Sequence, residues 1–165
     1  MRKYRQLRNV ISALSIIEHK KLYEGCCISF LVLETGLPFR KIARISIEES
    51  LDIEGRMVVI DGTVRIILSA YLSSRLIRYY NVYQNYLFLT SKLEERVASI
   101  LPLANATNER SLQNEWIKIA FKTGLHPIDM VEATGLSIEE VSQFSSTKST
   151  YIVRSLISHY MSSLG

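Results

Sequence analysis

The sequence predicts a mainly helical α+β domain with one small antiparallel sheet near its middle. Three observations lead there. Apolar residues recur at steps of three and four through most of the chain, the spacing of helices that bury one face. One interval, residues 56–68, is instead rich in β-branched residues and is split by Asp61-Gly62-Thr63, a strong hairpin signal. The length, 165 residues, suits one domain over 1–165, and 47% hydrophobic against 22% charged residues excludes a disordered chain, a collagen-like repeat and a coiled-coil rod.

The elements follow in order. Residues 1–8 carry Arg2, Lys3, Arg5 and Arg8 without an acid and read as a basic arm. Val10, Ile11, Leu14 and Ile17, with Leu7, then mark a helix. A second helix runs over about 21–33 and ends at Thr35-Gly36, where glycine takes the left-handed turn. Pro38 opens a third helix carrying Phe39, Arg40, Lys41, Ile42, Ala43 and Arg44. The hairpin strands are 56–60 and 64–68, and a helix over about 69–80 follows, with Tyr71, Leu72, Leu76 and Tyr79 or Tyr80 on one stripe. Residues 86–89 read as a short extended piece. Helices are expected over 92–101, 111–122, 127–134, 137–144 and 150–164. Trp116, Ile117, Ala120 and Phe121 form an apolar face on the second of these. At the next corner, Gly135 permits the turn, Ser137 and Glu140 form a capping box, and Val131, Leu136 and Val141 supply buried contacts. That corner reads either as a DNA-reading helix-turn-helix or as a plain helical turn; Glu139 and Glu140 disfavour phosphate contact.

The net charge of +4 suits a polyanionic partner without requiring one. Cys26 and Cys27 are adjacent, a spacing that strains a disulfide and supplies too few ligands for zinc, so both read as buried small hydrophobes in a reducing compartment. The most apolar stretch, 26–33, is too short to span a bilayer, and a cytoplasmic protein with no membrane contact is expected. His19, His126 and His159 match no metal site and no nucleophile arrangement, and the glycines form no phosphate loop, so neither metal nor cofactor is expected.

Taken together, the order of elements resembles the catalytic domain of tyrosine recombinases, the phage integrase family. The segment from Phe30 through Thr35-Gly36-Leu37-Pro38 to Ile45 is similar to that family's helix, turn and helix. The hairpin, the helix after it and Tyr86-Leu87-Phe88 stand in the expected places, and 111–144 matches the family's later block in spacing. The resemblance implies activation of a scissile phosphate by two arginines, a lysine and two histidine-like donors, with tyrosine as the nucleophile. Such donors must already be in place when negative charge gathers on the phosphorane. In this sequence the corresponding positions hold Pro38 for the first arginine, Thr63 or Val64 near the lysine, Arg110 and Gln113 for the histidine and second arginine, Leu136 for the later histidine or tryptophan, and about Ser145 for the tyrosine. Arg40, two residues from Pro38, is turned about 200° around a helix and leaves that pocket. No catalytic residue is therefore assigned.

What the resemblance leaves is a DNA-binding surface on double-stranded DNA. Its candidates are Arg2, Lys3 and Arg5 on the arm, Arg40, Lys41 and Arg44 on the third helix, Arg65 on the second hairpin strand, and Arg110, Gln113, Asn114 and Lys118 on the helix of the later block. Lys41 and Arg44 share a face, as do Arg110, Asn114 and Lys118. The plain alternative is that both are solvated helix exteriors. The expected function is a non-catalytic regulator, a repressor or recombination-control factor of a phage or mobile element, associated with the nucleoid. The family's separate clamp domain is not among these residues, and the arm would partly replace it. Val153, Leu156, Ile157, Tyr160 and Leu164 form an apolar stripe through which two or more copies could assemble on DNA, unless the helix folds back on its own domain. Two further readings stay open: an active recombinase with displaced groups, its nucleophile Tyr151 or Tyr160, and a module that binds a recombinase and never touches DNA.

Overall fold

The computed structural model describes residues 2–45, 51–52, 56–60, 64–83, 93–104 and 106–145. The chain divides into two compact units, residues 1–116 and 117–165.

In the first unit, helix α2 (Lys20–Thr35) is the centre. From Tyr23 to Leu33 every residue is buried, so this stretch of the helix has no solvent face; an all-round buried helix must be enclosed by others. Around it stand α1 (Arg2–Ala13), α3 (Phe39–Ile42), α4 (Ala70–Tyr83) and α5 (Leu93–Ala98), with a 3-10 turn at Leu101–Ala104 against α1. The approach of α5 is close: a Cβ on Gly25 would lie 2.5 Å from the Arg96 carbonyl oxygen. Cys26 and Cys27 are buried free thiols.

The N-terminal residues differ from the expected arm. They form α1 from Arg2 onward, because Leu7 and Ile11, one turn apart, are wholly buried and anchor the helix. The helix stops at Ala13, so its phase does not reach Ile17, which is 75% exposed, and Ile16 at 4% takes the core position.

Between α3 and α4 lies a three-stranded antiparallel sheet in the order β1 (Leu51–Asp52), β2 (Met57–Ile60), β3 (Val64–Ile67). Ile60 pairs with Val64, the register that the hairpin signal implies, while 61–63 lie outside the described residues. Strand β1 pairs Leu51 with Val58 and was not foreseen; two residues are too few to show alternation. The stripe on α4 is as expected, with Leu72, Leu76 and Tyr79 buried.

One charged group sits deep inside. Glu24 is 2% exposed, and its carboxylate accepts from the Tyr79 hydroxyl and pairs with the Arg96 guanidinium, with Lys20 at 4.0 Å. Burial raises the Tyr79 hydroxyl above its ordinary value and pushes Tyr23, stacked 6.3 Å away, up to about 12.

Helix α6 (Glu109–Lys122) begins in the first unit and carries into the second. The second unit adds α7 (Pro127–Thr134) and α8 (Ile138–Ser142), closed over Met130 and Val141, with Ile117 and Ala120 buried on α6. Gly135 ends α7 at φ 71°, and both halves of the predicted capping box are formed: Glu140 N–H to Ser137 Oγ at 3.2 Å and Ser137 N–H to Glu140 Oε2 at 2.8 Å. Val131 and Leu136, expected as core, are half-buried; Met130 and Thr134 take the buried positions. The expected extended piece at 86–89 and the helix at 150–164, with Tyr151 and Tyr160, lie outside the described residues.

Candidate nucleic-acid interface

The corner between α2 and α3 is held by one face of α6. Thr35 closes α2 by donating to the Leu31 carbonyl at 2.5 Å and accepting the Leu37 N–H at 3.2 Å. Gly36 follows at φ 72°, where glycine alone avoids the Cβ penalty. A Cβ there would also lie 2.4 Å from the Trp116 ring. Glu109, Gln113 and Trp116 stand at steps of four and three on α6, hence on one face. Glu109 accepts the Phe39 N–H at 3.0 Å, the Gln113 amide donates to the Gly36 carbonyl at 2.9 Å, and the Trp116 indole donates to the Glu34 carbonyl at 3.1 Å. The Glu34 carboxylate in turn accepts the Ser69 hydroxyl at 2.6 Å and the Ser69 N–H at 3.0 Å, which ties the start of α4 to the same corner.

This geometry corrects the reading of Gln113. It is 2% exposed, and its amide is spent on a backbone carbonyl inside the fold, so it does not stand with Arg110 and Asn114 on an outer face. Trp116, expected as core, is half-buried and acts as a brace.

The charge at the corner is acidic. Burial raises the Glu109 carboxyl above the ordinary carboxylate value, and Glu94 adds to the effect, against the Phe39 N–H and the Arg40 charge. Pro38 is buried and serves as the N-cap residue of α3, with no side-chain donor.

The predicted cations lie outward. Arg40 and Arg44 are exposed and Lys41 is half-buried. Arg110 and Asn114 are half-buried on α6, and the Asn114 side-chain oxygen has no hydrogen-bond partner among the described residues. Lys118 belongs to the second unit, where it is exposed with its ammonium 5.9 Å from the Phe144 ring centroid. Arg5 is exposed on α1. Arg2 and Lys3 lie within α1 and Arg65 pairs with Val59 in the sheet, their side chains being outside what is described. Leu136 and Ser145 are half-buried. Arg8, the last cation of the expected arm, is exposed on α1; the sequence reading passed over Arg75 and Arg78, although the absence of any acid from α4 is visible in the residues alone. Among the described residues no three His, Cys, Asp or Glu side chains are grouped to hold a metal ion, and no helix is long and apolar enough to cross a membrane.

With a helix closed by Thr-Gly-Leu, a short helix, a hairpin and a later helix that braces the corner, the chain has a fold similar to that of tyrosine recombinase catalytic domains. No family model and no curated protein matches the sequence. Among solved structures, the fold is similar to XerA recombinase, at 13% identity and a TM-score of 0.60, covering 88% of this chain and 62% of that one. It is similar to XerH site-specific recombinase bound to a palindromic difH substrate, at 15% identity and 0.60, covering 97% and 51%. It is likewise similar to the integrase of transposon Tn1549 in complex with a circular intermediate DNA, at 12% and 0.59, covering 87% and 59%. The chain thus spans about half to three fifths of the length of these structures.

Proposed function

We propose that this chain is a non-catalytic regulator that binds double-stranded DNA through a recombinase fold, as a repressor or recombination-control factor of a phage or other mobile element, acting in the cytoplasm at the nucleoid. One observation carries the reading. At the positions where the resembled family concentrates phosphate-activating cations, this chain has Pro38 and Gln113, the first without a donor and the second spent on the Gly36 carbonyl, beside the carboxylates of Glu34 and Glu109. A centre for phosphoryl transfer needs preorganised positive donors, and losing one typically costs ~10²–10³ in rate. Arg40, Arg44 and Arg110 remain as cations suited to phosphate contact, and phosphate contacts carry sequence-independent affinity. The XerH and Tn1549 structures are themselves DNA complexes, which supports a DNA partner here.

Two measurements test it. Fluorescence anisotropy on a labelled duplex should give binding whose affinity falls steeply between 50 and 200 mM salt, and Arg110→Ala should flatten the salt slope by about one. On nicked duplex DNA no protein–DNA covalent adduct should form. Absence of binding at low salt removes the DNA reading and favours a module that pairs with a recombinase. An adduct lost in Tyr151→Phe or Tyr160→Phe removes the non-catalytic one. Assembly through residues 150–164 is part of the proposal; light scattering of the DNA complex should show two or more copies, reduced to one in a chain ending at Lys148.

A further inference from the structure

Helices α1 and α4 together hold Arg2, Lys3, Arg5, Arg8, Arg75 and Arg78 and not one Asp or Glu. Where they meet, Tyr71 joins them. Its hydroxyl donates to the Arg8 carbonyl at 3.2 Å and lies 3.4 Å from the Ser12 hydroxyl. The Arg8 guanidinium sits 4.5 Å from the centre of the Tyr71 ring and the Arg75 guanidinium 5.1 Å from the same centre. Arg75 gives one N–H to Ser12 Oγ at 3.3 Å, and its Nε is buried without a hydrogen-bond partner among the described residues. No described carboxylate pairs with either guanidinium.

Two like charges beside one ring repel each other, and each guanidinium offers five N–H donors in a plane. Arg75 spends part of its donors on Ser12 and on the Tyr23 hydroxyl, while no described hydrogen bond uses those of Arg8. Phosphate oxyanions accepting from the guanidinium N–H groups that reach solvent would offset that repulsion with charge-assisted hydrogen bonds. The ring fixes the guanidiniums in place, so less side-chain freedom is lost on binding. Arg5 and Arg78 continue the cations one turn along each helix, at the same spacing of three. A line of cations suits a chain of phosphates better than a single ion. An acidic protein is the poorer fit, because protein interfaces carry an apolar core. On α1 and α4 the sole large exposed hydrophobic among the described residues is Val82.

We propose that Arg8 and Arg75, braced by Tyr71, form a second backbone-binding site for duplex nucleic acid, on elements distinct from those carrying Arg40, Arg44 and Arg110. The site rests on the DNA-binding reading above. It is tested on the full chain by anisotropy with a random-sequence duplex across 50–200 mM salt. Arg8→Gln/Arg75→Gln should weaken binding by about tenfold per arginine and lower the salt slope by about one to two, equally on unrelated duplexes. Arg78→Gln changes an exposed side chain and should lower the slope by about one with the fold intact. A folded double variant with unchanged affinity and slope overturns the site, and if Arg110→Ala still lowers the slope the wider DNA reading stands. A wild-type chain that binds no duplex overturns both. If the double variant does not fold, Arg78→Gln decides: a lowered slope supports the site and an unchanged one overturns it. Competition by poly-glutamate that depends on Arg8 and Arg75, with DNA binding that does not, assigns the patch to an acidic protein and overturns the proposal.

Discussion

Adding one methyl group at Gly36 probes the corner on which the outer cations of α3 depend. Two costs arise in Gly36→Ala. An L-residue at φ 72° pays about 1–2 kcal/mol for the left-handed conformation. Its Cβ would also lie 2.4 Å from Trp116 Cε3 and 2.7 Å from two more ring carbons, where contact needs about 3.5–4 Å. The ring cannot simply slide away, because its indole N–H is bonded to the Glu34 carbonyl at 3.1 Å. Overpacking of this kind costs about 1–3 kcal/mol. The sum is about 3 kcal/mol, and for a chain of this size Tm should fall by about 6–12 °C. Urea unfolding followed by tryptophan fluorescence is a direct assay, since Trp116 is the single tryptophan. A double-mutant cycle followed by circular dichroism then separates the terms. In a Trp116→Ala background the clash is gone, and Gly36→Ala should cost only about 1–2 kcal/mol, a coupling of about 2 kcal/mol. A cost below about 0.5 kcal/mol, or equal costs in both backgrounds, would refute the reasoning, because surface substitutions away from special features reach that level.

Three further outcomes follow from the buried groups. Arg96→Ala strands the buried Glu24 carboxylate and should cost about 3–5 kcal/mol, against about 1–3 for Tyr79→Phe, by urea unfolding; the reverse order would contradict the pairing. Burial pushes the Cys26 thiol up to about 12 and Cys27 well above its ordinary value, so at pH 8 a thiol reagent should label neither in the native protein and both in denaturant; one fast thiol in the native state would be decisive against this. The Glu109 carboxyl is raised in the folded state, so the fold holds that proton more tightly than the unfolded chain does, and its contribution to stability is lost as pH rises through the interval above the ordinary carboxylate value. Glu109→Gln keeps an acceptor for the Phe39 N–H and should therefore raise Tm at pH 7 and leave it unchanged near pH 4, with a lower Tm at pH 7 as the contrary result.

Much of the fold was legible because local signals agreed with packing. Thr-Gly-Leu occurs three times, at 35–37, 123–125 and 134–136, and each time it ends a helix in the same way. The threonine hydroxyl donates back to a carbonyl of the last turn, on Leu31, Ala120 and Met130, and the glycine takes φ 72°, 80° and 71°. The hairpin register was legible for a similar reason, since three residues between two β-branched runs leave little choice of pairing. What failed were inferences that needed a tertiary partner. A run of cations looks like a solvated arm until Leu7 and Ile11 are seen to be buried, and burial is not written in the charges. Gln113 looks like an outward polar residue because Arg110, Asn114 and Lys118 around it are polar. Its burial depends on the Gly36 carbonyl, which stands on another helix. Glu24 hid in the same way, since its two main partners come from α4 and α5.

The corner itself argues for the division of labour proposed here. Cations that activate a phosphate must be held in place yet left with unspent donors, an arrangement that costs stability until substrate arrives. The corner between α2 and α3 does the opposite. The Gln113 amide, the Trp116 indole and the Phe39 N–H each have their partner within the first unit, and two carboxylates stand beside them. The polar groups are spent on rigidity. Unspent donors occur instead at the outer face where Arg8 and Arg75 flank Tyr71. Arg8 is exposed and Arg75 half-buried; cations at such a face interact through water, weaken with salt and carry no chemistry of their own, which is what binding a DNA backbone requires. On the proposed reading, then, the recombinase fold is retained for its shape and its arginines while the activating centre has been closed by its own hydrogen bonds. Gln113→Arg should therefore lower stability, through the lost bond to Gly36 and a buried cation, and, on that same reading, restore no strand cleavage, since Pro38 offers no side-chain donor.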